Sequence, residues 1–311
     1  MDVTNVIFDI QFAIKERKNM KRMKKYFQVA LLVLGICSSA NLLAQHADQT
    51  TKNDTLFFED FSQNSLDRTK WNVIGTDFHV NNEQQAYYDS TATIYTVKGE
   101  EAQGAKSGAL VLQAHYSPNF TTINGKNFDF ISGRINTRDK VMFTYGTAAA
   151  RMKLPEGAGF WPAFWALGGG DWPATGEIDI MEYVGETDWI GVALHGPGYS
   201  GETPLVNKYF FPEGESVTDW HVYSVDWTPE GFEFKVDGRL IYRVTKPMVE
   251  NYGKWAFDNP KFLIVNLALG GAYPYKTNLV EEPYNGLPQS TVDLIKAGKA
   301  KVLVDWVLIT Q

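Results

Sequence analysis

Short runs of β-branched and aromatic residues, broken by Gly, Pro, Asn and Asp about every 8 to 12 residues, extend from about residue 55 to the end of the chain. The clearest runs are 108–114, 143–151, 221–227, 231–236 and 301–309. Asp237-Gly238 predicts a tight hairpin, because both residues tolerate a positive φ. Only two short helices are expected, at 247–251 and 291–297. Many strands and few helices predict an all-β protein, an antiparallel β-sandwich of the jelly-roll type.

The first 44 residues predict an export signal. Four basic residues between positions 21 and 25 precede the apolar run 29–36, a cleavage-like sequence ends at Ala44, and translation could begin at Met20. A membrane anchor is the alternative, but the apolar run is shorter than the roughly 20 residues that span a bilayer. We therefore expect a secreted, periplasmic or cell-surface protein with no membrane span. Polar residues 45–54 are expected to form a flexible leader.

The part of the chain after the signal has no cysteine, because Cys37 lies within the signal. That part can therefore form no disulfide and no thiolate metal site. Cys37 could accept a lipid, although Ile36 is a poor match to the small residue that precedes such sites. Without repeats or linkers, residues 55–311 are expected to form one domain, and a monomer.

The net charge of the chain limits the classes of partner that it could bind. After residues 1–44 are removed, 22 Lys and Arg face 33 Asp and Glu, a net charge of −11. Nucleic acids and anionic membranes bind basic surfaces, so neither is an expected partner. The chain contains nine Trp, more than a core usually needs, which suggests flat rings that line a surface for apolar sugar faces.

Three acids stand close together in one predicted strand, namely Glu177, Asp179 and Glu182. Side chains alternate between the two faces of a strand, so Glu177 and Asp179 share one face while the isoleucines beside Asp179 point to the core. Glu182 would fall on the core face. A β-bulge at Met181 adds one residue and returns Glu182 to the face of the other two acids. We therefore predict three carboxyl groups in a row on one face.

The spacing of the two glutamates suits a chemical role. With the bulge they are about 13 Å apart at Cα, and side chains that lean toward each other could bring the carboxyl groups to about 5 Å, the separation in a retaining glycosidase. Because three crowded acids cannot all ionise easily, one Glu should stay protonated near neutral pH and serve as an acid. A solvated face or a calcium site is the alternative. The apolar neighbours and the Trp-rich run 160–165 favour catalysis.

These residues resemble glycoside hydrolase family 16, a β-jelly-roll group that includes laminarinases, lichenases and agarases. The resemblance runs from about Phe57 to the C-terminus, and the matching segments are 58–61, 81–88, 132–136, 153–155, 161–165, 176–182, 262–271 and 304–307. It implies that Glu177 is the nucleophile, Glu182 the acid/base and Asp179 the residue that tunes the pair. The residues alone leave the order of the two Glu roles open. The bulged spacing is similar to the laminarinase-like branch.

The resemblance also implies a concave substrate cleft and its lining. Trp161 and Trp165 are expected to stack on sugars of the donor side, Arg134 and Asn82 to hydrogen-bond hydroxyl groups, and His195 to border the cleft. A place in the core is the competing role for Trp165. A purely structural role is the alternative for His195.

Members of this family often carry a structural calcium ion on the convex face. Asp60 and Asp305 lie where its ligands are expected, and oxygen ligands suit calcium, although two acids alone do not define a site. No cofactor is implied for catalysis.

The chain departs from the laminarinase pattern at one place. Where that branch commonly has Gly-Gly-Asn-Trp-Pro, this chain has Gly-Gly-Ala-Tyr-Pro at 270–274, followed by an insert to about residue 300. Such loops build the walls of the cleft, so the change bears on substrate choice.

We expect an endo-acting retaining hydrolase of a β-1,3- or mixed β-1,3/1,4-glucan, with a polysaccharide or oligosaccharide as its substrate. An endo-β-galactosidase of galactan or of mucin poly-N-acetyllactosamine O-glycans is the alternative. A transglycosylase and a non-catalytic lectin are further alternatives.

Overall fold

The computed structural model describes residues 54–75 and 79–311, so the predicted signal and almost all of the predicted leader lie outside the described residues. The strands are β1 Thr55–Glu59, β2 Asn72–Val73, β3 Gln85–Tyr87, β4 Ile94–Val97, β5 Ala109–Gln113, β6 His115–Thr121, β7 Asn127–Ser132, β8 Arg134–Asn136, β9 Gly146–Lys153, β10 Phe160–Gly168, β11 Glu177–Glu182, β12 Trp189–His195, β13 Leu205–Phe210, β14 His221–Thr228, β15 Gly231–Val236, β16 Arg239–Thr245, β17 Lys261–Leu269 and β18 Lys301–Thr310. The helices are α1 Lys246–Glu250, α2 Ala272–Asn278 and α3 Gln289–Lys296, with one 3-10 turn at Gly99–Ala102. No helix in this part of the chain is long and apolar enough to cross a membrane.

Two antiparallel sheets form a sandwich. The outer sheet has the strand order β16-β15-β14-β9-β18-β5-β4, with β1 added beside β18. The second sheet, called the cleft sheet below, has the order β13-β12-β11-β10-β17-β8-β2. A small third sheet contains β3, β7 and β6. One large cluster of buried aliphatic and aromatic side chains draws on both main sheets, and the predicted all-β jelly-roll sandwich is confirmed.

Several local predictions can be checked directly. Asp237 and Gly238 have φ values of 50° and 77° and join β15 to β16, as the hairpin signal predicts. Helices α1 and α3 lie within two residues of their predicted positions. The sequence does not predict α2, because its seven residues include two tyrosines and a proline and show no helical spacing of apolar positions. Asp54, assigned to the leader, exchanges two backbone hydrogen bonds with Gln311 and belongs to the sandwich.

Gly176 sets the start of the acid-bearing strand β11. Its φ is +73°, and a Cβ atom at this position would lie 2.5 Å from the carbonyl oxygen of Ala256 and 2.9 Å from the ring of Phe257. Only glycine fits both the left-handed backbone and the close approach. The loop that contains Ala256 therefore lies directly behind the turn into Glu177.

We predict that Gly176→Ala destabilises the protein much more than Gly125→Ala. Gly125 has nearly the same φ, +75°, but has no atom within 4 Å of the added Cβ. The left-handed backbone alone should cost about 1 kcal/mol at Gly125, whereas the added clash at Gly176 should raise the loss to about 3 kcal/mol. Urea unfolding of both variants measures the free energy of unfolding. Equal losses would show that the Ala256 contact is unimportant.

Candidate active site

An extra residue in β11 sets the direction of its acids. Against β10, Met181 and Asp179 pair with consecutive residues, so Ile180 between them is the extra residue of a β-bulge. The pairing with β12 shifts between Asp179 and Glu182. Ile180 and Met181 are both buried in the core. The predicted bulge is confirmed, and it spans Ile180 and Met181.

All three acids line one hollow on the open face of the cleft sheet. The same hollow is lined from β8, β10 and β17 by Arg134, Trp161, Trp165 and Asn266. The floor between these polar and aromatic groups is made of small side chains, Ala163 and Ala268. The cleft sheet therefore places acids, indoles and hydrogen-bonding groups around one space.

Glu177 has a polar environment built from one loop and a neighbouring strand. Nε1 of Trp172 donates a hydrogen bond of 2.9 Å to Oε2 of Glu177. Nε2 of His195 lies 3.8 Å from Oε1 of Glu177 and 3.3 Å from Oδ2 of Asp179. Burial raises the pKa of Asp179, and its interaction with the Glu177 carboxyl group lowers it. Two adjacent buried carboxyl groups cannot both ionise easily.

Glu182 has a separate donor. Nε1 of Trp161 donates a hydrogen bond of 3.0 Å to Oε1 of Glu182. The ring of Trp161 meets Tyr273 of α2 edge to face, with the ring centroids 5.7 Å apart. The position of the Trp161 N–H, and with it the environment of Glu182, thus depends on Tyr273.

Burial raises the pKa of Glu177, Asp179 and Glu182, each to about 8. The charge of Asp179 raises the pKa of both glutamates further, while His195 and the indole N–H groups oppose the rise. Three buried negative charges repel one another, so the group keeps protons at neutral pH. His195 lowers the pKa of Glu177 and so favours its ionised form. At neutral pH the three acids together retain protons that can be donated.

Trp165 lies in the cleft rather than in the core. Its Nε1 donates a 2.8 Å hydrogen bond to Oδ1 of Asn266. The guanidinium of Arg134 lies 4.9 Å from the Trp165 ring and 5.6 Å from the ring of Tyr87. These contacts fix the indole and the guanidinium in one orientation at the side of the hollow. Of the predicted binding residues, Trp161, Trp165, Arg134 and His195 are therefore brought together with the acids.

Asn82 is not brought to the acids. It lines a neighbouring hollow with Lys126 and Tyr284, and its amide nitrogen donates to Oδ1 of Asn285 at 3.2 Å. Asn81 lines the hollow of the acids instead. Both asparagines have positive φ values, 56° and 54°, so the turn directs their side chains to different spaces and strand alternation does not apply.

Trp172 and Asn266 escape the sequence analysis, which marks Tyr273 only as part of the cleft-wall segment 270–274 and assigns it no contact. Trp172 lies in a Gly- and Pro-rich loop, where the direction of a side chain cannot be read from periodicity. The sequence could have identified Asn266 as a candidate site residue, because it is the one polar residue within the apolar run 262–269. A polar group in a buried strand needs a partner, and Asn266 finds it in Trp165.

The predicted calcium ligands have other partners. Oδ1 of Asp305 accepts the backbone N–H of Lys106 at 2.8 Å, and Oδ2 lies 2.5 Å from Nη1 of Arg151. Asp60 accepts hydrogen bonds from Ser62 and Ser107, which lower its pKa. This donor set does not fit calcium, because the guanidinium already supplies the positive charge at Asp305. Among the described residues, the group of three that could hold a metal is Glu177, Asp179 and His195, in the hollow itself.

We predict that a chelator leaves the Tm unchanged, whereas Arg151→Met lowers the free energy of unfolding by about 3 kcal/mol or more, because it leaves the buried Asp305 charge unpaired. The exposed pair of Arg68 and Asp89 provides the matched control, and Arg68→Met should cost less than about 1 kcal/mol. Thermal unfolding with and without EDTA and with added calcium tests both statements. A calcium-dependent rise in Tm would contradict this assignment.

A concave β-sandwich face with paired carboxyl groups between indole rings defines the type of site that glycosidases use. The sequence profile of the family "Glycosyl hydrolases family 16" matches residues 68–282. The chain belongs to this family.

The chain is similar to several known members. It is 34% identical to glucan endo-1,3-beta-glucosidase A1 of Niallia circulans, over 69% of this chain, and spans only 33% of that protein. It is 29% identical to a beta-glucanase of Rhodothermus marinus, over 89% of this chain and 96% of that protein. The structure superposes on the endo-beta-1,3-glucanase of Pyrococcus furiosus with a TM-score of 0.70 and 32% identity, over 83% of this chain and 94% of the other.

We predict that Trp161→Phe moves the basic limb of the kcat/KM profile to higher pH by about 0.5 to 1 unit, the value of one lost hydrogen bond. The indole N–H lowers the pKa of Glu182 by stabilising its carboxylate, so removing it raises that pKa and Glu182 stays protonated at higher pH. Trp165→Phe is the control, because its N–H reaches Asn266. If Trp161→Phe weakens binding but leaves the limb in place, Trp161 only stacks on the substrate.

Proposed function

We propose that the protein is an endo-acting, retaining β-glycoside hydrolase that cleaves a β-1,3- or mixed β-1,3/1,4-glucan by double displacement. One observation carries the proposal: Glu177 and Glu182 line one open hollow, each with its own indole donor, and Asp179 lies beside Glu177. The names of the similar proteins, an endo-1,3-beta-glucosidase and a beta-glucanase, support a glucan as the substrate.

The reaction uses the proton arrangement of the hollow. Ionised Glu177 attacks the anomeric carbon, while protonated Glu182 gives its proton to the departing glycosidic oxygen. In this proposal Asp179 takes up the proton of the adjacent pair before the attack, so Glu177 is free to act as the nucleophile. Glu182, now a carboxylate, then deprotonates the water that releases the glycosyl group from Glu177. Two inversions at the same carbon retain its configuration.

The second candidate is an endo-β-galactosidase of galactan or of mucin poly-N-acetyllactosamine O-glycans. Tyr273 favours it, because this residue replaces the Trp of the laminarinase pattern and packs on Trp161 at the wall of the cleft. Galactose carries an axial hydroxyl at C4, which needs room or a polar partner at such a wall. A lectin is disfavoured because binding alone needs neither of the two paired indole donors.

Substrate class is tested by incubation with laminarin, barley glucan, agarose and mucin glycans, with product mass and linkage as the readout. Cleavage of the first two supports the proposal, and cleavage of agarose or mucin glycans alone would replace the glucan with a galactan. The anomeric form of the first product, followed by NMR, tests retention. An initial α-anomer would exclude double displacement.

We also propose that the protein acts outside the cytoplasm, in the periplasm, on the cell surface or in the medium. The basic residues and apolar run before Ala44 support this. N-terminal sequencing of protein from each cell fraction of the native host tests it, and a cytoplasmic chain that keeps the first 44 residues would contradict it.

We predict that Glu177→Gln lowers turnover to less than about 1% of the parent, because an amide cannot form the glycosyl ester. Binding of an oligosaccharide should stay close to the parental value, since the neutral amide keeps the size of the side chain and accepts the Trp172 N–H. Calorimetry and product release measure the two quantities. Glu100→Gln, an exposed glutamate in the 3-10 turn, is the control and should change neither. More than a percent of residual cleavage would show that the nucleophile is misassigned.

A further inference from the structure

Lys261, the first residue of β17, is a buried lysine. Its side chain has no exposed surface, and it is the one lysine among the described residues that lies in the interior. A charged group in the interior costs free energy, and a methionine could pack in the same place without a charge. The position of the ammonium group therefore points to a role for its hydrogen-bond donors.

The ammonium group of Lys261 has an acceptor for each of its three N–H donors. Nζ lies 2.9 Å from Oδ1 of Asn259, 3.2 Å from the carbonyl oxygen of Asn259 and 3.4 Å from the carbonyl oxygen of Ala256. The Asn259 side chain donates to the same Ala256 oxygen at 2.9 Å. A neutral amine has only two N–H donors, so loss of the proton would leave one acceptor facing a lone pair. The longest of the three bonds, to Ala256, is the one most easily lost.

The groups that Lys261 contacts also support the turn at Gly176. A Cβ atom at Gly176 would lie 2.5 Å from the carbonyl oxygen of Ala256 and 2.9 Å from the ring of Phe257. The Lys261 ammonium binds that carbonyl and lies 5.5 Å from the centre of the Phe257 ring. Within the sheet, the backbone of Lys261 pairs with Gly168, whose N–H donates to the carbonyl of Gly176 at 3.3 Å. Lys261 thus supports this turn both from the loop and from the sheet.

We propose that Lys261 is a positioning residue for Glu177, an inference that rests on the proposed function. Glu177 directly follows Gly176, so a shift of the Ala256 carbonyl moves the turn and with it the start of β11. The nucleophile must meet the anomeric carbon in a defined geometry, and a displacement of about 1 Å can cost about a hundredfold in rate. Because Lys261 is buried, it acts through the turn and not on the substrate.

The surroundings of Lys261 make its charge sensitive to pH. Burial lowers the pKa of Lys261 to about 7, and the carboxylate of Asp258 opposes this shift. Asp258 is exposed, accepts a hydrogen bond from Tyr145 and lies 4.0 Å from Nζ of Lys246 in α1. From β14, the ring of Trp227 lies 5.3 Å from Nζ and adds no ionisable group. The ammonium form therefore dominates below neutral pH and the amine above it.

The test measures kcat and KM of Lys261→Met on laminarin over a range of pH. At about pH 6, this variant should lose about tenfold in kcat, because Glu177 is displaced from its productive position. Its KM should match that of the parent, since Trp165 and Asn266 still hold each other at the hollow. Methionine fills a similar volume among the apolar rings, so the variant should fold, and its Tm is measured alongside.

Lys140→Met is the matched control. The Lys140 ammonium also binds backbone carbonyls, those of Arg68 and Trp71 in the segment before β2. Loss of these bonds should lower the Tm and leave kcat at the parental value. The control thereby separates a loss of stability from a displacement of Glu177.

The pH dependence separates the ammonium group from simple packing. The ratio of the parental kcat to that of Lys261→Met should fall from about tenfold below neutral pH toward one above it, because the parent then also lacks the ammonium group. The acids of the hollow titrate in both proteins and cancel in this ratio. NMR of the Lys261 Cε carbon gives the pH at which the proton is lost. A ratio of one below that pH, or a ratio that stays constant across it, would overturn the proposal.

The proposed function can fail without this inference. If the parent leaves laminarin intact, the glucanase assignment fails, and the same ratios are measured on the agarose or mucin glycan that the parent cleaves. Lys261 supports the turn before Glu177 whatever sugar occupies the hollow. A parent that cleaves none of these glycans refutes both proposals.

Discussion

The β-bulge at Ile180 and Met181 is the constraint on which the site depends. Without the extra residue, strict alternation would send Glu182 into the core beside Ile178, and the two glutamates would lie on opposite faces of the sheet. Core packing stabilises the bulge, because the side chains of Ile180 and Met181 are both buried in the sandwich core. Packing energy of the core thus fixes the direction of the Glu182 side chain. The strand is also held at its start, where Gly176 fits against Ala256.

Three carboxyl groups in one buried hollow repel one another when they ionise. The surrounding residues offset this repulsion in different ways. Burial raises the pKa of all three acids, so the group keeps protons, and an indole N–H reaches each glutamate. Indoles suit this task because they donate a hydrogen bond without adding a charge, so the pKa of each acid stays high. Strong ion pairs with arginine would have ionised all three acids and removed the proton donor.

Much of the fold and of the catalytic centre could be predicted from the sequence. The period of two in the strands, the Asp237-Gly238 turn and the one-residue excess before Glu182 are local signals, and each predicts a feature of the fold. Residues that reach the site from loops could not be predicted in this way. Trp172 and Tyr273 come from a Gly-rich loop and an unpredicted helix, and Asn82 sits in a turn with left-handed backbone. At the predicted calcium site, Asp305 pairs with Arg151, which comes from a distant part of the chain. No local sequence pattern encodes this contact.

The cleft is asymmetric, and the asymmetry follows from the strand order. On the β10 and β17 side, Arg134, Trp165 and Asn266 hold one another rigidly around a recess. On the β12 side, Gly191 and Ala193 are buried, and the Tyr273 hydroxyl lies 3.4 Å from the position of a Cβ at Gly191. Because the acids sit on the bulged strand β11 while Trp172 and Tyr273 reach the hollow from a loop and a helix, substrate choice can change through these segments while the geometry of β11 stays the same.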